Sequence, residues 1–273
     1  GNVVIDVSMS PARAEVVKAA LMEVAPGPTH TVIYTHSHID HVGGASVWVE
    51  EGTEVWATDA FLPHLVKQYG AFRPAETLRA ARQFGAHVAL EELPCSAIGR
   101  RVDLEAALET GVRPPSHTFT GSATLEVGGV TLELVEAHGE THDQLFVWIP
   151  SLSALMPGDN FYEAFPNLYT IRGTRARPID AWIASLDAMR ERDPDLLVPS
   201  HTRPVHGKDV IRGALRDYRD GIQWLRDEVV RGANRELTVD ALASSVALPE
   251  HLATSPWLAE TYGQVTWSVR GIY

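Results

Sequence analysis

The apolar positions of the first sixty residues predict strands that alternate with a helix. The stretches NVVIDV (2–7), TVIYT (31–35) and EVWAT (54–58) are short and rich in β-branched residues, as buried strands are. Between the first two, SPARAEVVKAALMEVA carries apolar residues at helical spacing, with Ser10 as the N-cap and Pro11 at the first helical position. The order strand, helix, strand, loop, strand predicts an α/β domain.

The pattern is less regular between residues 60 and 118. FLPHLVKQYG and AETLRAARQFG predict helices, whereas PCSAIGRRVD and VRPPSHTFTG predict loops. Loops of this length in a compact domain usually serve the function or cross a cleft.

From residue 122 onwards, polar and apolar residues alternate. SATLEVGGVTLELVEA predicts a β-hairpin that turns at Gly128 and Gly129. The short apolar runs LFVWI (145–149), ALMPG (154–158) and LLVPS (196–200) predict further strands. An amphipathic helix, IDAWIASLDAMRERD, is predicted before the last of them.

The chain after residue 208 is predicted to be helical. KDVIRGALRDYRDGIQWLRDEVVRG forms one long helix in this interpretation, and TVDALASSV and SPWLAETYG form short ones. Apolar residues recur every three or four positions of the long helix and form one stripe: Ile211, Leu215, Tyr218, Ile222, Leu225 and Val229. Such a stripe packs either on the rest of the chain or on another subunit.

Composition and charge exclude some classes of partner. The 273 residues, of which 45% are hydrophobic, allow a sizeable core in one large domain or two modest ones. The net charge of −12 argues against a surface for nucleic acid, because a phosphate backbone requires a basic stripe. A small anionic substrate remains possible, since a metal ion or an arginine can override the net charge locally.

The remaining bulk features leave the compartment open. No apolar run reaches the roughly 18 residues of a membrane-spanning helix. The single cysteine, Cys95, excludes a disulfide within the chain, and no histidine or basic cluster adjoins it, so we expect a structural cysteine. The chain starts within a predicted strand and ends without a polar tail, which favours a piece of a longer protein.

One short stretch, THSHIDHVGG, concentrates residues that bind metals. His36 and His38 alternate with Ser37, so in an extended segment their side chains point the same way. Asp40 and His41 follow in a turn that leads to two glycines. Imidazole and carboxylate groups are the ligands that Zn²⁺ or a similar divalent ion prefers. The sequence therefore predicts a metal site after the second strand.

This stretch resembles the signature of the metallo-β-lactamase superfamily. The later motifs of that superfamily follow in order as AHGETHDQL, MPGDN and VPSHTRP, each after an apolar strand. The resemblance extends over roughly residues 2–206. It implies an α/β fold, an αββα metallo-β-lactamase sandwich with a two-metal site between the sheets.

One departure from the common pattern resembles the alkylsulfatase branch of the superfamily. Glu140 follows Gly139 at a position where most members have histidine and the alkylsulfatases have glutamate. FPNLYTIRG (165–173) and YGQVTWSVRGIY (262–273) resemble further alkylsulfatase segments. The resemblance implies a catalytic domain at 1–207, whose first strands precede Gly1, and a helical dimerisation region at 208–273 of a homodimer.

The resemblance also implies a set of metal ligands. His36, His38 and Glu140 would hold one divalent ion; Asp40, His41 and His201 would hold the other; Asp159 would bridge both. Zn²⁺ is the expected ion. Alkylsulfatases generally carry glutamate at the bridging position, where this chain has the shorter aspartate. His138 and His142 are alternatives to Glu140, but Thr141 aligns Glu140 with the motif and leaves the two histidines as pocket residues.

The same resemblance implies a reaction. Two metal ions supply hydroxide at neutral pH, and Asp40 and Asp159 would be the catalytic carboxylates, with Asp40 orienting the water or taking its proton. Asn167 and Arg172 would contact the sulfate head, because arginine pairs with tetrahedral oxyanions. Tyr169 either contacts the substrate or packs under the loop.

Other residues near the motifs allow two interpretations. We expect Arg175 and Arg177 to be solvated or paired with nearby acids. Four aromatic residues line a channel for the alkyl chain or belong to the core: Trp148, Phe161, Tyr162 and Phe165.

Two other functions remain open. One is a hydrolase of the same superfamily that acts on a lactone, a thioester or a phosphodiester. The other is a non-catalytic metal-binding scaffold. Glu140 and NLYTIRG favour a small alkyl sulfate ester over the first, and the complete set of ligand residues argues against the second.

Overall fold

Two β-sheets face each other, and helices cover the outer face of each sheet. The structure, a computed structural model, describes residues 1–89, 91–93, 95–96, 98–100 and 109–273. The first sheet is parallel, in the order β1 (Asn2–Ile5), β2 (Thr29–Ile33), β3 (Glu54–Thr58) and β6 (His117–Phe119). A separate short pair consists of β4 (Cys95–Ser96) and β5 (Gly99–Arg100).

The second sheet is mixed. Its strands lie in the order β12 (Val205–His206), β11 (Leu196–Leu197), β10 (Ala154–Met156), β9 (Leu145–Ile149), β8 (Val130–Glu136) and β7 (Ser122–Val127). Only β10 and β11 pair in parallel; the other neighbours are antiparallel. It follows that β8, β10 and β11 all end at the same edge of this sheet.

The helices lie in three groups along the chain. The first group comprises α1 (Pro11–Val24), α2 (Ile39–Val42), α3 (Ala45–Trp48), α4 (Phe61–Leu65) and α5 (Arg73–Gln83). The second is α6 (Ile179–Glu191) alone, and the third comprises α7 (Lys208–Ala233), α8 (Val239–Ser245), α9 (Glu250–Ala253) and α10 (Val265–Ile272). Within the described residues, no helix is long and apolar enough to cross a membrane.

Three buried clusters correspond to the interfaces between the layers. One lies between the first sheet and its helices and includes Val32 and Trp48. A second lies between the sheets and includes Ile33 and Leu134. The third lies between the second sheet and the later helices, and it includes Phe146. The predicted αββα sandwich is therefore confirmed.

Local sequence signals account for several elements. Helix α1 begins at Pro11, and the Ser10 side chain accepts a hydrogen bond from the Arg13 amide at 3.4 Å, as the N-cap prediction required. Gly128 and Gly129 have φ of 59° and 81° in the two-residue loop between β7 and β8, the positive values that a tight hairpin turn needs.

The long C-terminal helix α7 buries its predicted stripe within the same chain. All six stripe residues are at most 2% exposed, and they share the third cluster with residues of the second sheet: Ile211, Leu215, Tyr218, Ile222, Leu225 and Val229. Of the two alternatives for the stripe, packing on the rest of the chain is the one observed.

Some predicted elements differ from the structure. The loop predicted at 112–121 contains β6, and the loop predicted around Cys95 contains β4 and β5, although the side chain of Cys95 lies outside the described residues. The helix predicted at 255–263 is only the short turn Pro256–Leu258. There the backbone bonds elsewhere: the Phe165 amide donates to the Ala259 carbonyl at 2.8 Å, and the Gly263 amide donates to the Phe165 carbonyl at 3.0 Å.

Candidate metal centre

The loops that carry the predicted ligands meet at one edge of the sandwich. The loop after β2 contacts the start of β9 through the Leu145 amide, which donates to the Thr35 carbonyl at 2.8 Å. The Gln144 side chain links the same region to the loop after β10 by donating to the Pro157 carbonyl at 3.1 Å. Strand ends of both sheets thus bring four separate sequence motifs together.

One group of ligand-type atoms belongs to His36, His38 and Asp159. His36 Nε2 lies 2.9 Å from His38 Nδ1 and 3.9 Å from Asp159 Oδ2. Glu140 adjoins this group, with Oε1 at 3.9 Å from His38 Nδ1. The structure therefore groups Asp159 with the two histidines and places Glu140, the third member of the predicted set, next to His38.

A second group belongs to Asp40, His41 and His201. His201 Nε2 lies 3.2 Å from Asp40 Oδ2. His41 Nε2 and His201 Nε2 each lie 3.4 Å from Asp159 Oδ2. Asp159 is thus within reach of both groups, as a bridging carboxylate must be.

Several ligand atoms of these two groups and of Glu140 have no hydrogen-bond partner among the described residues. Five ligand-type side-chain atoms are buried without a hydrogen bond among the described residues: His38 Nε2, His41 Nε2, Glu140 Oε2, Asp159 Oδ1 and His201 Nε2. Buried polar atoms are normally bonded, so these five fit divalent ions that accept imidazole and carboxylate ligands.

Asp6, which the sequence analysis did not single out, orients this cluster from behind. Its Oδ2 accepts hydrogen bonds from the side chains of His41 at 2.7 Å, Ser200 at 2.8 Å and Thr35 at 2.9 Å. The backbone at Asp6 has φ of 59°, which turns the chain sharply after β1. A carboxylate on the outer nitrogen of a ligating histidine fixes the tautomer and the ring orientation.

Burial and charge set the protonation of the histidines. Burial, together with the neighbouring His41, lowers the pKa of His36 to about 3, so this ring is neutral at pH 7 and offers a lone pair. At His201 burial acts in the same direction, but Asp159 and Asp40 outweigh it and raise the pKa to about 10. The second group therefore attracts positive charge strongly.

The loop of Glu140 is held by residues from two other segments. The Glu140 amide donates to Asn160 Oδ1 at 2.9 Å, and Arg177 Nη2 donates to Glu140 Oε1 at 2.6 Å. Arg177 is 8% exposed, so of its two predicted environments the pairing with an acid is observed. Burial raises the pKa of Glu140 to about 7, although the charge of Arg177 opposes this shift.

Residues 161–178, the arginine segment, run past the metal groups without forming a regular helix or strand. Arg172 is 7% exposed, and its Nε donates to Glu76 Oε1 of α5 at 3.1 Å. Its Nη1 is buried without a partner among the described residues. Beside the larger effect of burial, the charge of Arg172 acts to lower the pKa of both His38 and Glu140, so this cationic side chain acts electrostatically on the first ligand group.

Asn167 and Tyr169 occupy different surroundings in this segment. Asn167 is buried, and its backbone amide donates to the Tyr162 hydroxyl at 2.8 Å. Tyr169 is 45% exposed, and its ring lies over Gly271 of α10, where an added Cβ would lie 2.8 Å from the Tyr169 Cβ. The structure thus brings Asn167 and Arg172 into the interior, whereas Tyr169 packs against the last helix.

Two tyrosines far away in sequence line the same region. The Tyr69 hydroxyl accepts a hydrogen bond from the Ile39 amide at 3.1 Å, next to Asp40. Burial raises the pKa of Tyr262, while Arg172 and a hydrogen bond with Asn167 oppose the shift. Neither residue lies in a ligand motif, and the sequence analysis gave neither a role, although Tyr262 begins the C-terminal segment that resembles alkylsulfatases.

The remaining candidates flank the centre or belong to the core. His142 stacks on His64 with ring centroids 5.6 Å apart, and His138 pairs with Glu136 at 2.7 Å. Neither His138 nor His142 belongs to a metal group of the described residues. The four aromatic residues considered for a channel are all within the third buried cluster or at most 8% exposed, as core residues are: Trp148, Phe161, Tyr162 and Phe165.

The αββα sandwich with two groups of histidine and carboxylate ligands at one edge defines a metallo-β-lactamase type of protein. The family model of the metallo-beta-lactamase superfamily matches residues 1–201 of this chain. This chain belongs to that superfamily.

Relatives within the superfamily agree with the predicted branch. A linear primary-alkylsulfatase of Pseudomonas sp. is 31% identical over 281 aligned residues that cover 100% of this chain. A solved double mutant of the sec-alkyl sulfatase PisA1 is 28% identical with a TM-score of 0.93, and the stereoselective inverting sec-alkylsulfatase Pisa1 of Pseudomonas sp. is 26% identical with a TM-score of 0.86; both alignments cover 99% of this chain.

The chain spans about half the length of these relatives. The alignment covers 53% of the primary alkylsulfatase and 45% of each solved chain. The predicted resemblance to the alkylsulfatase branch is confirmed.

Proposed function

We propose that this protein hydrolyses alkyl sulfate esters to an alcohol and inorganic sulfate with the help of two divalent ions, expected to be Zn²⁺. The observation that carries the proposal is the buried, unpartnered Nη1 of Arg172, whose charge acts on His38 and Glu140 of the first ligand group. A free guanidinium donor next to a metal centre suits a tetrahedral oxyanion. The relatives named alkylsulfatases support this choice of substrate.

In this proposal the ligands act as two sets joined by one carboxylate. His36, His38 and Glu140 would hold one ion; Asp40, His41 and His201 would hold the other; Asp159 would be shared by the two. When bound, a pair of divalent ions supplies hydroxide at neutral pH and positive charge for anionic oxygens.

The residues of the chain then position the ester and move the proton. Arg172 and Asn167 bind the sulfate head and direct the ester bond toward the ligand groups. The side chain of Asp40 is 32% exposed, so it faces the open side of the centre, where it orients the attacking water and accepts its proton. Water adds, the ester bond breaks, and Asp40 returns its proton as the alcohol and hydrogen sulfate leave, which balances the reaction.

Two further parts of the proposal concern organisation. We assign residues 1–207 to the catalytic domain and 208–273 to a helical region that forms a homodimer, as the resemblance implies. Because α7 uses its apolar stripe inside the chain, the dimer contact must involve other surfaces of the helical region.

The test measures sulfate released from a medium-chain alkyl sulfate by purified, metal-loaded protein, with the metal content determined by elemental analysis. We expect release by the wild type, loss in Arg172→Ala, and no change in Arg175→Ala, a control at an exposed position three residues away. A protein with two equivalents of metal that releases no sulfate would contradict the proposal. A lactone and a phosphodiester assayed in parallel would then identify another hydrolase, and inactivity on all three would favour the scaffold.

A further inference from the structure

A buried arginine shares the carboxylate of one proposed metal ligand. Arg177 precedes α6 and is 8% exposed. Its Nη2 donates to Glu140 Oε1 at 2.6 Å, and its Nη1 donates to the Glu140 carbonyl oxygen. The guanidinium therefore engages both the side chain and the backbone of Glu140.

This pairing leaves Glu140 with one oxygen for a metal ion. Oε2 is buried and has no hydrogen-bond partner among the described residues, whereas Oε1 belongs to Arg177. The other proposed ligands of that metal position, His36 and His38, are histidines, which bring no negative charge to an ion. Apart from the shared Asp159, Glu140 is therefore the source of negative charge at this proposed metal position.

The other position has no such competitor. Among the ion pairs of the described residues, Asp40 and Asp159 pair with histidines alone. The ligand-type atoms of Asp40, His41 and His201 lie within 4.8 Å of one another. At this position, the carboxylate of its own group, Asp40, is therefore not shared with a guanidinium, and neither is the carboxylate of Asp159 that both positions share.

We infer that Arg177 makes the two metal positions unequal, so that the ion held by Asp40, His41 and His201 binds first and more tightly. An ion at His36, His38 and Glu140 must share a buried carboxylate with a fixed positive charge. Like charges repel strongly at short range where water is excluded, and weakening a buried ion pair carries its own cost. Arg177 affects the metal only through Glu140, by competing for its carboxylate.

This inference rests on the ligand set of the proposed function but not on the substrate. A rival role for Arg177 leads to the opposite result, because a partner that merely orients a ligating carboxylate strengthens metal binding. Removing such a partner would weaken the metal at this position, whereas removing a competitor strengthens it.

The test is a calorimetric titration of chelator-treated protein with Zn²⁺, repeated with Mn²⁺. We expect two equivalents in the wild type, the second bound at least about tenfold more weakly, a factor within the range of effects from outer partners. In Arg177→Gln the second equivalent should tighten by about tenfold, and the first should stay within about twofold. Arg175→Gln, an exposed arginine two residues away, is the matched control and should change neither.

Each other result has a defined meaning. Equal affinities for both equivalents in the wild type, or a second equivalent that weakens or stays unchanged in Arg177→Gln, would overturn the inference. Should Arg177→Gln not fold, Glu140→Gln decides: it should lose the weak equivalent and keep the tight one, and loss of the tight one would overturn the assignment. A wild type that binds no metal would instead contradict the ligand set of the proposed function.

Discussion

The ligand loops and the arginine segment face the same centre, but they are held in different ways. Each ligand lies at or shortly after the end of a strand, and its neighbours in sequence or across the sheet fix it; Asp159, for example, follows β10 within three residues. The arginine segment, 161–178, contains no strand or helix. Arg172 is fixed by Glu76 and Gln83, whose contacts span 96 and 89 residues of sequence.

This difference separates two tasks. The ligand loops are positioned mainly by the ends of the strands that they follow, although the loop of Glu140 is also held by Asn160 and Arg177. The arginine segment depends on α5 and on residues 259–263, which belong to other parts of the chain. We therefore expect substitutions in the first region to affect the metal and substitutions in the second, apart from Arg177 with its contact to Glu140, to affect the substrate.

The largest effect should come from a ligand. His36→Ala removes a fully buried neutral imidazole at the centre of the first group. Sulfate release should fall to the background of free metal ions, well beyond the roughly 100-fold cost of losing an outer partner, and elemental analysis should show a loss of metal. His251→Ala, at an exposed position, is the control. Full activity of His36→Ala would remove this residue from the centre.

A substitution at Arg172 should be nearly as severe without affecting the metal. Arg172→Lys keeps the positive charge but loses the guanidinium group. In the wild type, Nε of that group donates to Glu76 and Nη1 has no partner among the described residues. We expect kcat/KM to fall by about 10²–10³, as for the loss of one preorganised donor, at unchanged metal content. A parallel loss of metal would show that the two regions are not separate.

The sequence predicted the ligand loops well because their signals are local. His36, His38, Asp40 and His41 lie within six positions, and each later motif follows a recognisable apolar strand. Asp6 escaped notice because a single acid after a strand has no pattern; only the folded chain brings it to His41, 35 residues away.

The arginine segment could be predicted only in part. Its resemblance to alkylsulfatases indicated Asn167 and Arg172. Nothing in the sequence pairs Arg172 with Glu76 or Arg177 with Glu140. Those contacts depend on how α5 and the loop after β8 pack in the folded chain. The missed residues Tyr69 and Tyr262 likewise enter from distant segments.

A smaller effect is expected from the carboxylate behind the ligands. Asp6→Asn keeps the size of the side chain but removes the charge that accepts bonds from His41, Ser200 and Thr35. Metal affinity should fall by about 10–100-fold, and excess metal should restore turnover because the ligands remain. Asp59→Asn, an exposed aspartate, should leave the affinity unchanged. Loss of turnover that excess metal does not restore would assign Asp6 a direct role in the chemistry.

The smallest effect on turnover should come from Glu76→Gln, which tests whether the arginine segment depends on α5. The variant keeps an oxygen to accept the bond from Arg172 Nε at 3.1 Å but removes the negative charge of a pair whose side chains are 8% and 9% exposed. We expect KM for the alkyl sulfate to rise by up to about tenfold, less than for loss of the arginine's own donor, with kcat and metal content nearly unchanged. Glu133→Gln, which removes the acid of a more exposed pair with Arg192, is the matched control.

A double variant separates positioning from a general loss of stability. If Glu76 acts by orienting Arg172, then Glu76→Gln should add little to Arg172→Lys, because residues that share a contact are not additive. Fully additive losses in kcat/KM would mean that Glu76 supports the site in another way. The thermal midpoint is measured alongside, since breaking a buried ion pair by removing one charge costs about 3–5 kcal/mol. A fall in midpoint without a change in KM would leave Arg172 correctly placed without its partner, and the arginine segment would then depend on α5 for stability alone.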